Sequence, residues 1–445
     1  MAVNVQVEVP IVQDFVNDGP SDKEDRVQAQ TDNPGGHAEA AALEPASVKD
    51  SQSQGGSGVT ADAISEAEAG EEKVANGSER VRKATIDDFN VIAMIGKGGY
   101  GKVYLVQHKE TQRHYAMKVL RKASILLHKR QITFTMTERS ILSEVQHPFI
   151  VKLYYAFQSN SKLYLIMEYV AGGELFTHMA RERIFTEDQA VFYMAELVLA
   201  LSHLHKLGIV FRDIKPENCL LNNKGHLVLT DFGLSKTALG EDGRTSTFCG
   251  TPSYMAPEIL DASVSYDFSV DWWSLGILLY EMLTGGVPFK GRTPDKISKN
   301  IAKMKVNYPN YLTPDAKDLI IRLLRKKPSQ RLGYGPDGAK MIKKHRFFRG
   351  VDWDDLAANY ETITPPIVPK VGDDGDFSNF DTEFTSEQLP PSVVHGSLVD
   401  LDPIVDPSLP SSRSGDGEEN EGDIDPSTAF LGFSYVATSV LHRVE

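Results

Sequence analysis

The sequence predicts an α+β fold or two lobes, strand-rich first and helix-rich after. Three observations carry that expectation. Between about residues 89 and 170, runs of Val and Ile alternate with glycine-bearing turns. From about residue 175 the apolar residues recur at helical spacing. Charge separates this body from both ends, with a net of −11 over residues 1–80, +11 over 81–370 and −14 over 371–445.

Residues 1–82 are rich in Ala, Glu, Asp, Ser and Gly and poor in aromatics. Such a stretch cannot bury enough apolar surface to offset its chain entropy, so a disordered acidic tail is expected there. Order is expected to start near "TIDDFNVIAMIGKGGYGKVYLV", which reads as two strands joined by a Gly-rich turn. "HYAMKVL" reads as a third strand, "ITFTMTERSILSEV" as a helix and "LYLIMEYV" as a buried strand. "TEDQAVFYMAELVLALSHLHKLG" is a long amphipathic helix with Thr186 as N-cap and Gly208 as its stop. "VDWWSLGILLYEMLTG" is nearly all apolar and reads as a buried helix. "TPDAKDLIIRLLRK" is a further helix, with Thr313 as cap and Pro314 in the first turn. No internal repeat is visible.

Composition excludes several classes. The two cysteines, Cys219 and Cys249, cannot build a disulfide framework and fit a reducing compartment. No apolar run is long enough to span a bilayer, and the N-terminus lacks a charged-then-apolar signal sequence. A soluble intracellular protein without integral membrane association is the expectation. The mildly basic body suits a phosphate-bearing ligand, but a solvated surface explains the same charge.

Chemistry concentrates in five short motifs. "GKGGYGKV" comprises Gly96, Lys97, Gly98, Gly99, Tyr100, Gly101, Lys102 and Val103. Its glycines let backbone N–H groups approach a polyphosphate closely, although a plain hairpin turn would also favour glycine. Strand rather than helix follows, which is not the dinucleotide-binding arrangement. "AMK" places Lys118 on the next strand, and Glu138 in "TERSIL" is its candidate partner. Such a pair would hold the ammonium on the α- and β-phosphates. In "FRDIKPEN", Asp213 can orient an attacking hydroxyl and accept its proton, and Lys215 can neutralise a transferring phosphoryl group. Asn218 in that motif and Asp231 in "DFG" offer hard oxygen ligands suited to Mg²⁺.

The five motifs, completed by "APE" at Ala256–Glu258, resemble the signature of the eukaryotic protein kinases over residues 89–348. The resemblance implies a two-lobed fold, small lobe 89–170 and large lobe 171–348, with ATP and Mg²⁺ between the lobes. It sets the adenine near Val103, Ala116, Leu220 and Thr230, against the linker carrying Glu168 and Val170, with Met167 at the back. It also implies a Glu258–Arg331 pair and a bracing role for Asp271.

"STFCGTPSYMAPE" is similar to the activation loop of the AGC group, whose phosphorylated residue falls at Thr247. A phosphate there would pair with Arg212 and Lys236. Glu174, Glu217 and Glu281 match positions that bind basic substrate side chains, implying protein substrates of the form Arg-x-Arg-x-x-Ser/Thr. Residues 349–445 resemble the AGC C-terminal extension. Phe380 in "SNFDTEF" stands at the position that closes over ATP, and Ser392 matches the turn-motif phosphosite by spacing. "FLGFSY" fits the hydrophobic motif, with Ser434 as phosphosite and a docking recess on the small lobe beside the helix carrying Glu138. The 38 residues from Ser392 to Phe430 reach roughly 35 Å as a coil, enough for docking within one chain.

"GKGGYGKV" and "FLGFSYVATSVL" are most similar to the 70-kDa-type ribosomal protein S6 kinases. The alternatives are a relative of the two-kinase S6 kinases lacking its second domain, and a pseudokinase scaffold. Two substitutions depart from the family pattern. Phe211 replaces the usual Tyr or His before the catalytic Arg-Asp. Phe134 stands where many relatives carry a basic residue for the activation-loop phosphate, so a weaker tie between that loop and the helix is expected. The resemblance implies upstream activating kinases as partners, one for the activation loop and a TOR-type kinase as a further candidate. Nucleic acid is not an expected partner, and the location expected is the cytoplasm, with the nucleus as a second compartment.

Overall fold

The computed structural model describes residues 84–98, 101–236, 249–261, 264–389 and 428–441. The acidic N-terminal stretch, Gly99, Tyr100, Thr247 and Ser392 lie outside the described residues, and so do the expectations attached to them.

The first lobe is an antiparallel sheet of β1 (Phe89–Gly98), β2 (Gly101–His108), β3 (His114–Arg121), β4 (Leu153–Gln158), β5 (Lys162–Glu168) and β8 (Tyr435–Val436), in the order β1-β2-β3-β5-β4-β8. Side chains alternate across it, as strand geometry requires. Leu153, Ala156, Leu163 and Leu165 face a core shared with α1 (Lys122–Leu126) and α2 (Lys129–Glu144). Phe89, Tyr115, Tyr155, Phe157, Tyr164 and Ile166 form a second apolar cluster on the opposite face. β1 and β2 pair up to Gly98 opposite Gly101. A side chain at Gly101 would run into the Val119 carbonyl of β3, so this glycine is required by packing as well as by any ligand.

The second lobe is helical around a small β6–β7 hairpin (Cys219–Leu221, Leu227–Leu229). α3 (Leu175–Glu182) precedes α4 (Glu187–Lys206), whose N-terminus is closed by a capping box between Thr186 and Gln189. Gly208, at φ +75°, turns the chain away after α4, as the sequence implied. α5 (Ser269–Thr284) is buried along nearly its whole length, with Trp272 and Trp273 in its first two turns. α6 (Pro294–Lys303) and α7 (Pro314–Leu323) start at Thr293 and Thr313 caps, each with proline in the first turn. α8 (Gly338–Lys343) and α9 (Trp353–Ala358) complete the lobe.

The extension then runs back toward the sheet. Tyr193 Oη donates to the Ile367 carbonyl (3.5 Å), Asn379 to the Ala171 and Lys370 carbonyls, and Tyr169 Oη to the Asp376 carbonyl (2.7 Å). It forms α10 (Thr382–Thr385), after which Glu387 pairs with Lys102 of β2 at 3.3 Å. Residues 428–441 return to the first lobe as β8 and α11 (Thr438–Leu441).

Candidate active site

Strand β3 sets Lys118 opposite Val103 on one side and Leu165 on the other. Its Nζ donates to Glu138 Oε1 of α2 at 2.7 Å and to Asp231 Oδ1 at 2.9 Å. Burial opposes the ammonium, but the Asp231 and Glu138 carboxylates outweigh it and raise the Lys118 pKa above the ordinary lysine value. The Lys118 charge in turn holds the Asp231 carboxyl below its usual range. Glu138 is nearly enclosed, and burial lifts its pKa despite the lysine. Asp231 itself sits in the left-handed region at φ 59°, a strained conformation for a side chain-bearing residue.

The turn carrying "FRDIKPEN" hangs from Asp271 of α5, which is wholly buried. Its carboxylate accepts from the Phe211 N–H (3.0 Å), the Arg212 N–H (2.8 Å) and His205 Nε2 (2.8 Å). These bonds hold Arg212 at φ 70°. The same turn presents Asp213, whose Oδ2 accepts from Lys215 Nζ and Asn218 Nδ2, both at 2.8 Å, and whose Oδ1 accepts from Thr251 Oγ1 at 3.0 Å. Burial works against the Lys215 charge, yet Asp213 raises its pKa overall. Asn218 Nδ2 also donates to the Asp213 carbonyl at 2.8 Å, which leaves the amide oxygen turned away from that pair. That oxygen and the half-exposed Asp231 carboxylate are hard donors of the kind Mg²⁺ accepts.

Of the residues expected around adenine, Val103 and Ala116 share one apolar cluster, in which Ala116 is buried with Ile95 and Leu105, and Tyr169, Phe377 and Phe380 pack around them alongside Val103. Phe380 stacks on Tyr169 at 5.8 Å between ring centroids. Ala116 pairs with Met167, and Val170 is buried just beyond the end of β5. The backbone N–H of Glu168 donates to the Lys152 carbonyl (2.9 Å), and burial raises its carboxyl pKa. Leu220 bridges to Glu174, and the Thr230 N–H donates to the Asn218 carbonyl at 2.9 Å. Gly96 and Lys97 lie opposite Val103 and Lys102, with Lys97 exposed near the end of the β1–β2 ladder.

Glu174, Glu217 and Glu281 gather on the second-lobe side. Burial, then Glu217 and Asp381, push the Glu174 carboxyl up to about 7. Burial raises Glu217 and Glu281 as well. Glu281 accepts from Tyr254 Oη, while Glu217 Oε2 is buried with no hydrogen-bond partner among the described residues. Behind the site, Arg331 forms a two-pronged pair with Glu258, both buried, and donates to the Ser269 carbonyl at 2.9 Å.

Residues 89–348 match the family model described as the protein kinase domain. The chain belongs to the protein kinase family. Residues 371–435 match the protein kinase C terminal domain, the extension that the resemblance to the AGC group led us to expect. The kinase is 43% identical over 371 residues to ribosomal protein S6 kinase 2 alpha of Gallus gallus, covering 83% of this chain and 45% of that one. It is 45% identical over 307 residues to the RAC-beta serine/threonine-protein kinases of Rattus norvegicus and Mus musculus, covering 69% of this chain and 63% of each relative. The kinase thus spans about half to two-thirds the length of these relatives. A protein kinase domain implies ATP as phosphoryl donor.

Sequence reasoning missed three residues at these sites. Thr251 bonds both Asp213 and Lys215 (3.1 Å to the latter). It was legible only as part of "CGTPSY", with no charge or metal-ligating group to single it out. Arg139 donates to the Phe433 carbonyl at 2.9 Å and the Ser434 carbonyl at 2.7 Å, and Gln158 to the Phe430 carbonyl at 3.1 Å. Arg139 follows Glu138 directly, so the spacing that marks the Lys118 partner also marks the helix face beside it. Phe430 and Phe433 are enclosed in the recess these two residues border, and Ser434 is exposed.

Proposed function

We propose that this chain is an ATP-dependent serine/threonine protein kinase of the ribosomal S6 kinase type, acting on Arg-x-Arg-x-x-Ser/Thr sequences. The observation that carries the proposal is the Lys118 ammonium shared between Glu138 and Asp231, which joins α2, β3 and "DFG" into one charged centre. Lys118 would hold the α- and β-phosphates of ATP under the Gly-rich strands, with Phe380 closing the adenine recess. Asn218 and Asp231 would hold Mg²⁺, which supplies charge neutralisation on the phosphates when bound.

The chain's own residues account for the rest. Asp213, fixed by Asn218, Lys215 and Thr251, orients the substrate hydroxyl and takes its proton as the new oxygen–phosphorus bond forms. The bond from the γ-phosphorus to ADP breaks in the same displacement. Lys215 offsets charge on the phosphoryl group in flight. Glu174, Glu217 and Glu281 receive the substrate arginines, a reading supported by the buried, unpartnered Glu217 oxygen.

Control runs through phosphorylation of Thr247, Ser392 and Ser434 by upstream kinases, with a TOR-type kinase as a candidate. For Thr247 the support is Arg212, whose second terminal nitrogen is buried with no acceptor among the described residues. For Ser434 it is the seated motif. The protein substrates and regulators implied are those of the cytoplasm, with the nucleus as a second location.

The test is phosphate transfer from labelled ATP to an Arg-x-Arg-x-x-Ser peptide by chain phosphorylated on Thr247. Asp213→Asn should lose about 10²–10⁴-fold in turnover. Lys118→Met should be comparably impaired. Activity surviving in both overturns the mechanism, and an inactive wild type turns the reading toward a non-catalytic scaffold.

A further inference from the structure

The hydrophobic motif does not stop at its phosphosite. Residues Tyr435 and Val436 add a sixth strand to the first-lobe sheet, with Tyr155 opposite Val436 and Ala156 opposite Tyr435. The Ala437 N–H donates to the Tyr154 carbonyl at 2.8 Å. β4 would otherwise present the unpaired backbone groups of an edge strand.

The segment also grips both faces of that sheet. Before the strand, Phe430 and Phe433 join the core cluster that contains Leu120, Ile125 and Ile141. Lys122 lies over the Phe430 ring at 5.4 Å. Val436 of the strand and Val440 after it pack into the other cluster, on the opposite face, with Tyr155 and Phe157. The segment entering β1 reaches the same cluster through Ala84 and Ile86. Ser434 lies at the crossing point, exposed, with its carbonyl held by Arg139.

We infer that residues 435–441 are a second docking element, a clip over the β4 edge that holds the motif in place without a phosphate on Ser434. The apolar anchors, the strand ladder and the Arg139 and Gln158 bonds all use groups that phosphorylation leaves unchanged. Phosphate then adds to a docked state that already exists, and removing the clip undocks the motif even when Ser434 is modified. The inference rests on reading Ser434 as a regulatory phosphosite.

Hydrogen exchange on the full chain tests it, because exchange reports docking whether or not any peptide is phosphorylated. Three proteins are compared: wild type and Ala437→Pro, both phosphorylated on Ser434, and Ser434→Ala; the proline variant lacks the N–H that Tyr154 accepts. The amides of residues 153–158 and 428–441 should exchange about tenfold faster in the proline variant, with the alanine variant close to wild type. If Ser434→Ala loosens these residues as much as Ala437→Pro, or more, the phosphate holds the motif and the inference falls. Val440→Asp, which keeps the backbone ladder, carries the same comparison should Ala437→Pro reduce folding. A wild type that fails to phosphorylate peptide would sink the proposed function and leave this comparison untouched.

Discussion

Arg331 shows how much one side chain can hold at the scale of a residue. It is buried, forms two parallel bonds to the equally buried Glu258, donates to the Ser269 carbonyl and lies over the Trp273 ring at 5.2 Å. A fully satisfied buried pair adds little net stability, since desolvation offsets its attraction. Breaking it is another matter, because Glu258 would keep its charge with nothing to meet it. Arg331→Ala should therefore lower stability by about 3–5 kcal/mol. Denaturant unfolding of the full chain checks this, and a loss under about 1 kcal/mol would mean water replaces the arginine. Arg331→Lys should be damaged too, because an ammonium cannot make both bonds to the carboxylate.

At the scale of the element, α2 matters most, since it carries Glu138 and borders the motif recess through Arg139. Sequence reading expected a weaker tie between this helix and the activation-loop residue Thr247, because Phe134 replaces a basic residue, and Thr247 lies outside the described residues. Phe134 instead meets the turn that carries Asp213. The Arg212 guanidinium lies over the Phe134 ring at 5.7 Å, one helical turn from Glu138. A cation over an aromatic face is worth about 0.5–1 kcal/mol at exposed sites and about 2 when desolvated. Phe134→Ala should thus reduce the fraction of molecules with Glu138 on Lys118. Turnover should drop about two- to tenfold with KM for the peptide little changed. Unaltered turnover in protein prepared and activated in the same way would show that the ring does not position the helix.

The elements themselves were unevenly legible. α4 and α7 carried caps, α4 a stop and α5 a nearly unbroken apolar run, and their ends agree with the sequence reading to within a few residues. α1 and β8 were not anticipated as elements. Five residues are too few to show a helical period. "YV" at Tyr435–Val436 becomes a strand only because β4 offers an edge, a partner more than 270 residues away in the chain. Likewise the Lys118–Glu138 pair was legible by motif, and the Glu258–Arg331 pair and the brace from Asp271 followed from the family resemblance. Thr251 and Gln158 have roles set by tertiary approach alone.

At the scale of the whole molecule, the groove proposed for substrate arginines is assembled from four distant parts of the chain. Glu174 precedes α3, Glu217 belongs to the catalytic turn, Glu281 lies on α5, and Asp381 begins α10 of the extension. Crowding these carboxylates has an electrostatic cost, expressed most clearly at Glu174. Burial first, then Glu217 and Asp381, lift its pKa from 4.5 to about 7. The folded protein therefore holds a proton there that the unfolded chain has already released. Its contribution to stability is complete below about 4.5 and is lost as pH rises through about 7. Binding runs the other way. An arginine prefers the ionised carboxylate, so the groove should attract basic peptides more strongly once Glu174 has lost its proton. KM for an Arg-x-Arg-x-x-Ser peptide should fall several-fold from about pH 6 to about pH 8, with peptide binding releasing protons near neutrality. Glu174→Gln should raise KM at the higher pH and flatten the profile. A wild-type profile no steeper than the glutamine variant's would remove Glu174 from the groove.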